Sequence, residues 1–271
     1  MQRFLKNRVA VGAAVFVLFV CLLAILAPYV TSYSFEEQNI EHRLFGPTAE
    51  HPMGTDSLGR DLFSRVLYGA RVSMAVGIAT ALVSVLFGTF FGAVSGYVGG
   101  WVDGLMMRVV DMFYIFPSLL FAVLLTVIIG NGLGGIVLAL SFVGWINIAR
   151  LVRGQVLQVK EMLHVEAARA MGLSSQRIVL RHVLPMIWGP VIVALTFQIP
   201  ASIISESFLS FIGLGLQPPH SSWGTLANEG WRGMRSYPHL ILFPGAVLFA
   251  TMLAFQFLGD GLRDWLDPKE R

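Results

Sequence analysis

Six runs of about twenty predominantly apolar residues dominate the chain, at about 9–30, 72–98, 112–130, 133–150, 186–207 and 239–258. Each is long enough to cross a hydrocarbon core as a helix. A helix satisfies its own backbone hydrogen bonds inside lipid, where water cannot. The 271-residue chain is 55% hydrophobic and 13% charged. A soluble domain carries about a quarter charged residues. The fold class that follows is an all-α integral membrane protein with six transmembrane helices. The first run is too long for a cleavable h-region, and Pro28 stands where cleavage would fall. The lone Cys21 excludes an intrachain disulfide.

The exception to the apolar pattern is a polar island at 161–185, EMLHVEAARAMGLSSQRIVLRHVLP. Arg150, Arg153, Lys160, Arg169, Arg177 and Arg181 cluster in or beside it with Glu161 and Glu166. Charge at mid-bilayer costs about 2.5–3.5 kcal/mol per residue, so the island belongs in water. Its basic excess marks the cytoplasmic side. With the N-terminus inside, thirteen of the nineteen Lys and Arg fall in inner segments, and both termini are expected to be cytoplasmic. That sidedness explains the net charge of +3 without nucleic acid.

The domain reading follows. Residues 1–30 form the cytoplasmic N-terminus and first span, and 31–71 an outer loop whose 54–71 segment has the spacing of an interfacial helix. Residues 72–258 form a five-helix core with an inner loop at 151–185, and 259–271 a cytoplasmic tail. Gly130-Asn131-Gly132 reads as a tight turn, and Pro117 as a kink in the third span.

Three groups of residues are functional candidates. In the inner loop, Ala167, Ala168 and Ala170 favour helix, and Gly172 can end it in a left-handed conformation. Ser174 or Ser175 can cap the next helix, with Pro185 at entry to the fifth span. The result is a small-residue tip suited to a partner's groove, or an inert connector. In the second span, Thr80, Ser84, Gly88, Gly92 and Gly96 place a small residue every four positions, a ridge for close helix packing. In the fifth span, Gln198 and Glu206 are candidates for a translocation pathway, although Glu206 fits the outer interface equally well.

Glu166-Ala167-Ala168, Gly172 six residues after the Glu, and Leu184-Pro185 resemble the EAA loop of ABC importer permeases. GTDSLGRDLFSRVLYGARVS, ESFLSFIGLGLQPPHSSWG and LGDGLRDWLDPKER extend the likeness over nearly the whole chain. Together they resemble the C-type permease subunit of dipeptide, oligopeptide and nickel importers. His182 and Met186 depart from that pattern, where a branched aliphatic and an Asn are usual. The resemblance implies an ABC importer permease-type bundle. It implies a heterodimer with a second permease, two ATPase subunits, and a substrate-binding protein outside. It also implies a bacterial or archaeal cytoplasmic (inner) membrane, and a docking loop made of Glu166, Ala167, Ala168, Arg169, Ala170, Met171 and Gly172.

The chain itself is expected to be non-catalytic and to bind no cofactor or metal. ATP and magnesium would sit on the partner ATPases. No Gly-Lys pair occurs, which excludes a P-loop of the usual form. HExxH, GxSxG and CxxC are also missing. Peptide is the expected substrate, with nickel as the alternative. The rivals are a stand-alone secondary transporter, for which only Glu206 is a candidate coupling group, and a membrane scaffold without transport.

Overall fold

The computed structural model describes residues 2–130 and 132–266. Among them there is no strand, only an isolated bridge between Thr55 and Asp61. Asn131 and the tail residues 267–271 lie outside the described residues, so the expected turn at Asn131 and the end of the tail do too.

Helix α1 (Gln2–Lys6) leads into α2 (Arg8–Val30), capped by Asn7. A stripe of small residues, including Ala10, Ala13, Ala24 and Ala27, is buried along α2, while Leu18, Phe19 and Ile25 face outward. The stripe packs on α11 (His239–Leu266). A methyl group on Gly261 of α11 would strike Ala10.

Helix α3 (Leu62–Val98) is 37 residues long, roughly 55 Å at 1.5 Å per residue. It absorbs most of the segment expected as a separate interfacial helix at 54–71. Residues 54–61 are loop and turn, and the helix then runs unbroken into the span. The reason is local. Asp61 caps α3, accepting hydrogen bonds from the Ser64 amide (2.7 Å) and hydroxyl (2.8 Å). The polar face at Ser64 and Arg65 is covered by protein instead of lying on water.

The third expected span, 112–130, is broken. Helix α4 (Gly100–Tyr114) meets α5 (Ser118–Ile129) at 87° across Ile115-Phe116-Pro117. Helix α5 has 12 residues, about 18 Å, too short to cross the roughly 30 Å core alone. Among the described residues, five helices are long and apolar enough to cross a membrane, and six if the bent pair counts as one. Most of the stretch between the second and third expected spans is the 15-residue α4.

Helix α6 (Leu133–Val159) lies along α3. Then follow the short α7 (Leu163–Ala170) and α8 (Ser175–Ile178), a π-helical turn at Val179–Val183, and α9 (Leu184–Phe211). A final short helix, α10 (Trp223–Trp231), is held against α9, α11 and α3. Two apolar clusters anchor the bundle at opposite ends. One joins Val152, Val156, Val165, Ala168, Ile178 and Ile187; the other joins Leu62, Val66, Met74, Ile203 and Trp223.

Candidate functional site

Helix α7 presents two faces. Val165 and Ala168, three residues apart, are fully buried in the first cluster. Glu166, Ala167, Arg169 and Ala170 are exposed, as are Leu163 and Met171, at 83% and 73%. The seven loop residues therefore do not act alike, since Ala168 faces inward. Helix α7 ends in a Schellman motif. The Leu173 amide donates to Ala168 O (3.2 Å) and the Gly172 amide to Arg169 O (3.0 Å). Gly172 has φ of +78°, a conformation that costs other residues about 1–2 kcal/mol. Leu173 packs back on the cluster. Ser174 occupies the N-cap position of α8, but its side chain makes no capping bond.

The π turn that follows has no signature in the sequence. It inserts a wider turn between α8 and α9, the kind of irregularity often found at functional sites. Its effect is that Ser175–Phe211 forms one continuous helical path from the α7–α8 loop across the bundle.

The small-residue ridge lies against α6. The Ser84 hydroxyl donates to Ser141 O (3.3 Å), and the Ser141 hydroxyl to Thr80 O (3.4 Å), a reciprocal pair between the two helices. A Cβ on Gly88 would stand 2.7 Å from Ile148 Cβ. On Gly96 it would stand 2.9 Å from Arg153 O, and on Gly92 it would collide with Ala149 O. The two backbones approach because these positions carry no side chain.

At the end of the bundle that carries α7, α4 is tied to α6. Arg153 donates through Nε and Nη2 to both oxygens of Asp103, each at 2.6 Å. Arg150 donates to Asp111 (2.5 Å) and lies over the Tyr114 ring, 3.9 Å from its centroid. Lys160 donates to Gly96 O at 3.0 Å. These ties fix α4, the first half of the bent pair, beside α6.

Gln198 and Glu206 are not brought together. Gln198 lines a cavity of about 150 Å³ with Ser118, Gly144, Asn147, Ser202 and Ser205. No ionisable side chain lines it. Gly144 makes the space, since a Cβ there would stand 2.6 Å from Gln198 Nε2. Asn147 is the residue that the sequence reading missed; a lone amide in an apolar run was its one signal. Glu206 is fully buried elsewhere. It accepts from Ser210 Oγ (2.6 Å) and Ser73 Oγ (3.5 Å). Ser222 Oγ donates to Ser210 Oγ (3.2 Å), and the Trp223 amide to Ser73 Oγ (3.1 Å). The carboxyl thus joins α3, α9 and the start of α10, enclosed by protein and outside the cavity that Gln198 lines.

The opposite end of the bundle holds a second charged group. Asp56 Oδ2 accepts from Arg60 Nε (2.7 Å) and Arg65 Nη1 (2.6 Å). Arg65 also donates to both oxygens of Glu229 in α10, at 2.5 and 3.1 Å. His51 Nδ1 lies 2.9 Å from Asp61 Oδ1. Arg65 and Asp56 are almost wholly buried. The partner 164 residues away could not be read from local spacing.

Two family models match the chain. Binding-protein-dependent transport system inner membrane component covers residues 84–271. N-terminal TM domain of oligopeptide transport permease C covers residues 1–47. Among curated relatives, the dipeptide transport system permease protein DppC of Bacillus subtilis (strain 168) is 44% identical over 271 residues, covering 100% of this chain and 85% of the relative. The oligopeptide permease OppC of the same organism is 41% identical, covering 100% and 89%. The glutathione transport system permease protein GsiD of Pectobacterium atrosepticum is 43% identical over 269 residues, covering 99% and 89%. Among solved structures, an inward-facing MetNI methionine ABC transporter chain aligns with TM-score 0.62 and 20% identity, over 76% of this chain and 98% of that one. That likeness concerns the fold alone.

Proposed function

The chain belongs to the binding-protein-dependent transport inner-membrane components, and from that premise we propose that it is the membrane-spanning half of an ATP-driven importer of short peptides. It pairs with a second permease to enclose the pathway. Two separate ATPase subunits bind ATP and magnesium and drive it, and a binding protein delivers substrate from outside. It lies in the cytoplasmic membrane with both termini inside, in keeping with the thirteen basic residues of its inner segments.

The observation that carries this reading is the docking loop. Helix α7 buries Val165 and Ala168 in the bundle and turns Glu166, Ala167, Ala170 and Met171 outward. A helix bound firmly on one side and bare on the other is built to meet a partner. The path from it continues through the π turn into α9, which carries Gln198. The amide- and hydroxyl-lined cavity at Gln198 and Asn147 is the proposed pathway surface. Amides can donate and accept hydrogen bonds, so such a lining suits peptide backbones and is indifferent to side-chain charge. Small-molecule sites commonly combine an apolar wall with a few such polar groups.

Single cysteines at Ala167, Ala170 and Met171 test the docking assignment in membranes holding the whole complex. Cross-links to an ATPase subunit are expected from at least one. Failure at all three, with normal abundance, would remove the assignment. Uptake of labelled dipeptide, glutathione and nickel into cells lacking and regaining this chain tests the substrate. Restoration of nickel uptake alone would reject the peptide reading.

A further inference from the structure

At the docking-loop end of the bundle, an apolar groove of about 510 Å³ runs between α3 and the α8–α9 path. Leu86, Phe90 and Tyr97 form one wall, and Leu180, Leu184 and Trp188 the other. Leu86, Phe90, Leu180 and Trp188 are all exposed. On the α3 side the groove extends from Val85 to Val98, roughly 20 Å at 1.5 Å per residue. That is about half a hydrocarbon core plus one headgroup region.

The groove closes in the middle of the bundle. Beyond Val85, Ala81 is fully buried, and a Cβ on Gly77 would strike Ile203 of α9. It is therefore open at one leaflet and shut at the centre. A spanning helix from another subunit could not follow it, whereas the acyl chain of a lipid in one leaflet could.

The open end is basic. Arg177 stands three residues before Leu180, and Arg181 three before Leu184. Arg177 directly follows the groove-lining Gln176 and Arg181 directly follows Leu180, which puts both arginines at this end of the groove. Both arginines are exposed. Among the described residues neither forms an ion pair, unlike Arg150 and Arg153, which are paired with Asp111 and Asp103. Tyr97, near the same end, has the amphipathic shape favoured at headgroup level.

We infer that this groove is a binding site for an anionic phospholipid, with an acyl chain along α3 and its phosphate held by Arg177 and Arg181. Basic pockets between spans bind anionic headgroups in this way. The inference goes beyond the transport reading and does not depend on which substrate is carried. A lipid seated there would brace the π turn, since Val179 and Leu180 belong both to that turn and to the groove wall.

The test uses the assembled importer, delipidated in detergent and titrated with phosphatidylglycerol or phosphatidylcholine of identical acyl chains, read by native mass spectrometry. Wild type is expected to retain phosphatidylglycerol preferentially. Arg177→Gln and Arg181→Gln should each lower that retention by about fivefold, with phosphatidylcholine unchanged. Unchanged phosphatidylglycerol retention in the double variant would overturn the proposal. So would loss of ATPase subunits from the double variant with lipid retention intact, which would assign the arginines to docking. Cross-linking of Phe90→Cys to the second permease would also overturn it, because a protein would then fill the groove.

Discussion

The Asp56–Arg65 network and the α7–α8 loop treat charge in opposite ways. In the network Asp56, Arg60 and Arg65 are buried and paired, and Glu229 closes it from α10. At the docking-loop end Glu166, Arg169, Arg177 and Arg181 are exposed and, among the described residues, form no ion pair. Buried paired charges lock one arrangement, because separating them strands a charge in low dielectric. Exposed ones are free to meet something else. The contrast separates a part that holds its shape from a part that exchanges contacts.

The strongest test of that contrast is Arg65→Ala. It removes one of the two guanidinium partners of buried Asp56 and the pairing with Glu229; breaking a buried pair costs about 3–5 kcal/mol, and the lower figure applies because Arg60 still pairs with Asp56 and Glu229 is 41% exposed. Thermal unfolding followed by size-exclusion should show a markedly less stable protein. Wild-type stability would mean that the network is not a lock.

Gly92→Leu should come next. The side chain must push α3 from α6 at Ala149 and Val152, and overpacking of this kind costs about 1–3 kcal/mol. Val83→Leu, on an exposed position of the same helix, is the control. Equal yields of detergent-stable complex from the two would show that the ridge does not set the α3–α6 distance.

Gly172→Val should cost about 1–2 kcal/mol locally, with nothing nearby to clash. Insertion and abundance should remain, while ATP turnover rises relative to substrate carried. Unchanged coupling in vesicles would detach the Schellman turn from the docking role. The smallest structural effect is expected for Glu166→Gln and Arg169→Ala. Exposed substitutions usually stay within about 0.5 kcal/mol, so melting should not move although transport falls. If their melting moved as far as that of Arg65→Ala, the distinction between the network and the loop would fail.

Much of the spanning pattern was legible because twenty apolar residues in a row have few other homes. The ridge was legible for a similar reason: a four-residue repeat maps directly onto one helix face. Gly172 could be read as a helix stop because its missing side chain permits the φ it adopts. The break at Pro117 was harder. Hydropathy measures how apolar a segment is and carries no direction, so a kink and an 87° turn look alike. The π turn leaves no mark in composition. Glu206 was ambiguous because its serine partners come from three separate segments, Ser73, Ser210 and Ser222. The Arg65–Glu229 pair could not be read at all, since a pairing across 164 residues has no local trace.

The helical path Ser175–Phe211 carries a mechanical consequence. Its far end is clamped: Glu206 and Ser210 are bonded to Ser73 and Ser222, and Gly224 of α10 sits hard on Ser207. Its near end grows out of the docking loop. A beam clamped at one end and loaded at the other bends most where it is weakest, and Pro190 and Pro200 each lack the amide that would stiffen it. Gln198 lies between those two soft joints. Load applied at α7 would flex the beam there, so the walls around Gln198 change shape while the clamped end keeps still.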